Sequence, residues 1–217
     1  MNNFTLTKFV RRVLTPIFFA LIVLLVLPNL ATAQTGIPAA DRELQLWRMF
    51  EPAGGYFRVS LPTQPVGNVI PFETKDSTLD MHFFSSQSKS SVYTVSYVDF
   101  DIPLKDSKAL EAAFDTAGGE IKSKIPSAIM ISEKKLMLGK IPGREFIFEN
   151  GAQNFRAQMY LVKQRAYFAQ LTRPQLNNLP AALLKVYQVE SDKFFNSFQI
   201  VDNKKPEAPI KGKKTGK

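Results

Sequence analysis

Apolar and polar residues alternate over much of the chain. In "LDMHFFSS" Met81 and Phe83 oppose His82 and Phe84, and in "SVYTVSYV" Tyr93, Val95 and Tyr97 oppose Thr94 and Ser96. Successive strand residues point to opposite faces, so a period of two predicts antiparallel strands with one face buried and the other partly wet. "GGYFRVSLP" predicts a short strand from Tyr56 to Leu61, opened by the Gly54-Gly55 turn and closed by Pro62. "LQLWRMF", with Leu44, Trp47 and Phe50, reads as a short strand or a helical turn, and "TQPVGNVIPFE" as turn-rich with an edge strand.

The period changes over residues 106–125. Leu110, Phe114, Ala117, Ile121 and Ile125 recur at three- and four-residue steps, which predicts a helix. Asp106 or Ser107 can cap its start by accepting an amide hydrogen bond, and Pro126 closes it. Gly118-Gly119 weakens the interior, each glycine by about 1 kcal/mol relative to alanine, and predicts a kink or a split. "AIMISEKKLMLGK" returns to strand and leads into a glycine–proline–glycine turn of Gly139, Pro142 and Gly143. "REFIFE" and "NFRAQMYLV" flank Asn150-Gly151, the residue pair that a two-residue type I′ hairpin turn demands. "RAYFAQLT" follows Lys163-Gln164, so the stretch predicts a three-stranded meander, and its glycines have turn geometry to explain them. A last helix runs from about Pro180 to Phe198, with Leu184, Tyr187, Phe194 or Phe195, and Phe198 on one face. The class is α+β: a central antiparallel sheet of about six to seven strands with two main helices packed on it.

Composition adds a compartment. Lys8, Arg11 and Arg12 precede the apolar run "PIFFALIVLLVLPNL", and Ala31-Thr32-Ala33 forms a small-residue cleavage site, so residues 1–33 read as a signal peptide with Gln34 as the mature start. The apolar core from Ile17 to Leu27 is shorter than the roughly 20 residues that span a bilayer. An uncleaved signal anchor, making the protein a membrane-tethered extracytoplasmic module, is the alternative. The expected location is the periplasm or the extracellular space, or the thylakoid lumen if the source is photosynthetic. The 217 residues include no cysteine, which excludes disulfides, thiolate nucleophiles and cysteine metal sites.

The net charge of +9 is unevenly placed. Three basic residues belong to the leader. Lys204, Lys205, Lys211, Lys213, Lys214 and Lys217 stand against the single acid Glu207 in the tail, and residues 34–202 hold 19 basic and 18 acidic residues. A near-neutral body argues against a nucleic-acid face. The tail is expected to be disordered, and its lysines can contact an anionic surface. The organisation is thus a leader (1–33), a linker (34–44), one domain (45–200) and a basic tail (201–217).

"WRMFEPAGGYFRVSLP", "GKIPGRE", "RAQMYLVKQRAYFAQL" and "FFNSF" together resemble a family of exported bacterial domains of mostly unknown function. That family is itself similar to the PsbP-like fold of the photosystem II extrinsic subunit. The resemblance spans roughly residues 45–200 and implies a sandwich of a central antiparallel sheet with helices on its faces. It brings no catalytic residue with it.

Candidate chemistry is sparse. His82 is the single histidine and lies on a strand among aromatics, so a zinc site lacks ligands. A hydrolytic triad would have to draw on Ser85, Ser86 or Ser96, and no G-x-S-x-G elbow is present. Asp99 and Asp101, on one side of a continuing strand, could hold calcium with Asp76 or Asp80, but the full calcium-loop pattern is missing. Arg144 and Glu145 are consecutive, so they face opposite sides of the sheet and cannot form a dyad; Arg144 reads as a turn anchor paired to a carbonyl or carboxylate. No phosphate loop, dinucleotide fingerprint or zinc-protease helix occurs, so no cofactor is expected. The sequence thus points to a non-enzymatic accessory or binding protein whose partner is a protein or a small apolar ligand, with an envelope hydrolase using His82 as the alternative.

Overall fold

The computed structural model describes residues 47–73, 78–100, 106–124, 127–151, 153–176 and 179–201. The predicted leader and linker, Asp76, Asp101 and the tail lysines lie outside these residues. The described elements run β1 (Arg48–Phe50), β2 (Phe57–Leu61), β3 (Val66–Glu73), β4 (Thr78–Gln87), β5 (Val92–Asp99), α1 (Ser107–Lys124), β6 (Ala128–Leu138), β7 (Ile141–Asn150), β8 (Gln153–Val162), β9 (Arg165–Pro174), α2 (Ala181–Ser197) and β10 (Gln199–Ile200).

Seven strands form one antiparallel sheet in the order β3-β4-β5-β9-β8-β7-β6, and β1, β2 and β10 form a small second sheet. Two meanders, β3 to β5 and β6 to β9, are joined through α1. They meet where β9 returns beside β5, with Val95 opposite Ala169. The predicted three-stranded meander is therefore real and has β6 as a fourth member.

Both faces of the large sheet are covered. Phe114, Ala113 and Ala117 of α1 pack on Phe146, Phe148, Phe155, Met159 and Phe168. On the other face, Phe194 and Phe195 of α2 join Phe57 and Val59 of β2 over Tyr93, Tyr97, Tyr160 and Tyr167, with Phe198 sealing the layer. At about 1.5–3 kcal/mol for each fully buried large apolar side chain, these two layers dominate the stability. The expected wet face of the central strands is therefore corrected: Thr94 and Ser96 are buried beneath α1's side of the sandwich. Small polar residues there leave room for the bulkier neighbours rather than meeting water.

Several local expectations shift. β1 settles "LQLWRMF" as a strand at Arg48–Phe50. Asp106 Oδ1 accepts a hydrogen bond from the Ala109 amide at 2.7 Å, and α1 runs unbroken through Gly118-Gly119. The β6–β7 turn is Gly139-Lys140, while Pro142 and Gly143 are paired strand residues opposite Met137 and Leu136. Gly143 answers to close approach: an added Cβ would lie 2.6 Å from the Tyr160 ring. Asn150 also leaves the turn, because it pairs with Gln153, and Gly151, at φ +59°, takes the left-handed position. The Asn150 carboxamide instead accepts from Ser127 Oγ at 2.7 Å. In α2 the buried residues are Tyr187, Ser191, Phe194 and Phe195, and Leu184 is 37% exposed. At about 100° per residue Leu184 falls roughly 35° from the centre of that stripe, on the same side, but it stands in the first turn of α2, before the packed residues begin.

Candidate functional site

One end of the sandwich gathers aromatic and cationic side chains from four elements. Arg165, the first residue of β9, donates to Asp99 at the end of β5 through Nε at 2.6 Å and Nη2 at 2.5 Å. Its Nη1 donates to the carbonyls of Gly54 and Gly55 at 2.6 and 3.0 Å, which ties the turn before β2 to the large sheet. Its guanidinium lies 4.3 Å from the Tyr97 ring, 5.0 Å from Tyr56 and 5.9 Å from Tyr167. Burial opposes the Arg165 charge, but the bonds to Asp99 and its carboxylate charge outweigh it and raise the pKa. Burial likewise raises the Tyr97 and Tyr167 phenols, against the pull of Arg165.

This end also stores backbone strain. Tyr56 sits at φ +53° and Lys163, in the β8–β9 turn, at φ +56°, both in the left-handed region that disfavours side chains. Tyr56 is 36% exposed, and its carbonyl accepts from the Val201 amide at 2.9 Å, where the described chain leaves the domain. His82 stacks flat on Tyr97, with centroids 4.6 Å apart and planes 5° off parallel.

Two charged networks flank the middle of β7. Arg144 is buried on α1's side, where it donates to Glu133 at 2.6 Å and Glu111 at 2.7 Å and lies over Phe114. Glu145 is buried on α2's side. It accepts from Arg156 Nε at 2.9 Å and Gln158 Nε2 at 2.7 Å, with Lys134 Nζ 2.9 Å away. Burial works to raise the Glu145 pKa, and the hydrogen bonds from Gln158, Lys134 and Arg156 overcome it, so the carboxyl titrates below its ordinary range. Arg156 also donates to Ser191 of α2 at 2.9 Å and lies over Phe195, which fastens that helix to the sheet. These contacts lock the layers together. The sequence placed Arg144 and Glu145 on opposite faces; Arg156 and Arg165 escaped it, although their place on the inward side of aromatic strands was a usable signal.

The catalytic and metal candidates are not brought together. His82 and Ser86 share a face of β4 but are four residues apart, about 13 Å along a strand. Ser85 lies on the opposite face, as does Ser96, which pairs with Phe83. Ser86 Oγ is engaged with Thr63 Oγ1 at 2.9 Å. Asp99 is occupied by Arg165, and among the described residues no group of three His, Cys, Asp or Glu side chains could hold a metal. No described helix is long and apolar enough to cross a membrane.

No family model and no curated protein matches the sequence. Among solved structures, the chain is similar to cyanobacterial PsbP (CyanoP) from Synechocystis sp. PCC 6803, with 12% identity and a TM-score of 0.50 over 78% of this chain and 98% of that one. It is also similar to the Ran-binding protein Mog1p of Saccharomyces cerevisiae, at 14% identity and a TM-score of 0.39 over 72% and 96% of the two chains. The immunity protein TplEi of Pseudomonas aeruginosa gives 15% identity and a TM-score of 0.34 over 57% and 48%. The likeness to CyanoP establishes a PsbP-like α+β fold and nothing of the chemistry.

Proposed function

We propose that the protein is an exported, non-enzymatic accessory or binding protein of the cell envelope that engages a protein partner through the end carrying Tyr56, His82 and Arg165. The observation that carries this reading is Tyr56. A tyrosine at φ +53°, about a third exposed and seated over a guanidinium, holds about 1–3 kcal/mol of backbone strain that a turn glycine would avoid. Such strain gathers at ligand clamps, and tyrosine and arginine are the side chains that dominate binding hot spots. The separation of His82 from the serines by face or by distance supports the non-enzymatic part.

A photo-reactive residue in place of Tyr56 in the native envelope tests the reading. It should give one discrete protein adduct that is absent when the probe replaces Gln64 at the far end. Equal labelling from both positions would remove the partner face. Robust turnover in a hydrolase screen, abolished by His82→Ala, would replace the reading with the enzymatic one. Export predicts a mature N-terminus at Gln34 by mass spectrometry, whereas a full-length membrane-held species would make the domain a tethered module. The lysines from Lys204 to Lys217 are assigned to contact with an anionic surface.

A further inference from the structure

Among the described residues, strand β6 lies at an open edge of the seven-stranded sheet. Natural edges are blunted by proline, charge or a bulge, and the opposite edge, β3, carries Pro71. β6 has no proline and runs eleven residues, with Ile129 65%, Ile131 55% and Met137 61% exposed. Its charges are each paired within the protomer, with the Lys134 and Lys135 side chains still 59% and 71% exposed. Glu133 is bound by Arg144, Lys134 lies 2.9 Å from Glu145, and Lys135 lies 3.0 Å from Glu111.

We propose that β6 is a self-complementary contact, pairing antiparallel with β6 of a second copy about a two-fold axis perpendicular to the sheet. The strand reads "IMISEKKLML": an apolar third, a centre of both signs and a second apolar third. With the axis through Lys134, Glu133 stands opposite the second copy's Lys135 on α1's side of the joined sheet. Ser132 then faces Leu136 on the other side. The β-bulge between Met130 and Ser132 shifts the register by one, so Met130 meets Met137 and Ile129 meets Leu138. Every apolar position meets an apolar or small one, and the two flanking charges meet the opposite sign. A two-fold of this kind makes the same patch serve both copies, which closes the contact at a dimer. The one like-charge meeting, Lys134 with itself, is offset by the buried Glu145 held beside each ammonium. A slip by one residue would set Glu133 against Lys134, which point to opposite faces, so slips by an odd number of residues are excluded.

The absence of native cysteine gives a clean test. Lys134→Cys places one thiol on the axis, where directly opposed Cα atoms of an antiparallel pair are about 4.5–5.5 Å apart, inside the range a disulfide bridges. Mild oxidation of this full-chain variant in its native envelope fraction should give a covalent homodimer on a non-reducing gel. Val66→Cys, 74% exposed on the opposite edge, should stay monomeric. Adding Ile131→Lys to the Lys134→Cys chain should cut the dimer yield severalfold while leaving the far-UV circular-dichroism spectrum unchanged, since Ile131 is exposed in the protomer. Dimer yields equal for Lys134→Cys and Val66→Cys, a yield indifferent to Ile131→Lys, or adducts only to a different protein would each overturn the assignment.

Discussion

Replacing Glu145 by leucine tests how the α2 side of the sandwich is held. The carboxylate is 1% exposed and is engaged by Arg156, Gln158 and Lys134. Removing one partner of a buried ion pair costs about 3–5 kcal/mol, because the remaining charge is left uncompensated. Here the Arg156 and Lys134 side chains are 20% and 59% exposed, so water makes up part of the loss. The low end, about 3 kcal/mol, is therefore expected. For a domain of this size 1 kcal/mol moves the midpoint by about 2–4 °C, so Tm should fall by about 6–12 °C. Glu145→Gln should cost less, since an amide oxygen still accepts from Gln158 and Arg156. The pH dependence fixes the cause. The folded carboxyl titrates below its ordinary value of 4.5, so its contribution is complete above that pH and is lost as pH falls through the folded pKa. Circular-dichroism melts from pH 7 to pH 3 should show the gap between wild type and Glu145→Leu shrinking below the ordinary carboxylate range. A gap of the same size at both ends of that range would mean that packing, not the ion pairs, sets the cost. Wild-type stability of the variant at neutral pH would refute the reasoning outright.

Other consequences are equally direct. Gly143→Ala would drive a Cβ to 2.6 Å from the buried Tyr160 ring and 2.8 Å from Leu136, so thermal melts should report a loss of about 1–3 kcal/mol. Lys163→Gly relieves a left-handed residue at a smaller entropic cost, and the urea midpoint should rise by up to about 1 kcal/mol equivalent with an unchanged slope. Burial, with the nearby Glu145 charge, pushes the Tyr160 phenol up to about 12; unfolded tyrosines ionise near pH 10, so stability should fall above that pH, less steeply in Tyr160→Phe. Deleting residues 203–217 should weaken binding to anionic vesicles and leave Tm unchanged, as among the described residues the last buried anchor is Phe198.

Periodicity carried most of the fold. The aromatic alternation of β4, β5 and β7 to β9 and the stripe of α1 were legible because each side chain's direction follows from local geometry. The second face was not legible, since Thr94 and Ser96 look like solvent residues until the sheet order sets Ser96 between Phe83 and Phe168 in a covered face. β1 and β10 were too short to show a period and exist through pairing with β2. Turn chemistry misplaced Pro142, Gly143 and Asn150 by a few residues, because glycine serves close packing as readily as a turn. The Arg165 cluster was hidden for another reason. It joins residues 54–56, 82, 97–99 and 165–167, and only the sheet order brings them together.

The Arg144-Glu145 pair has a meaning for folding as well as for stability. β7 sends a cation through one face and an anion through the next, into sockets of opposite sign: Glu111 and Glu133 for Arg144, Arg156 and Lys134 for Glu145. A one-residue slip of β7 against its neighbours would exchange the two side chains across the sheet. Arg144 would then enter a site already holding two cations, and Glu145 one already holding two carboxylates. Hydrophobic alternation alone resists such a slip weakly here, because both faces are apolar and "REFIFE" is aromatic on either side of its isoleucine. The dipeptide thus acts as a two-sided key that only one alignment of the meander can turn.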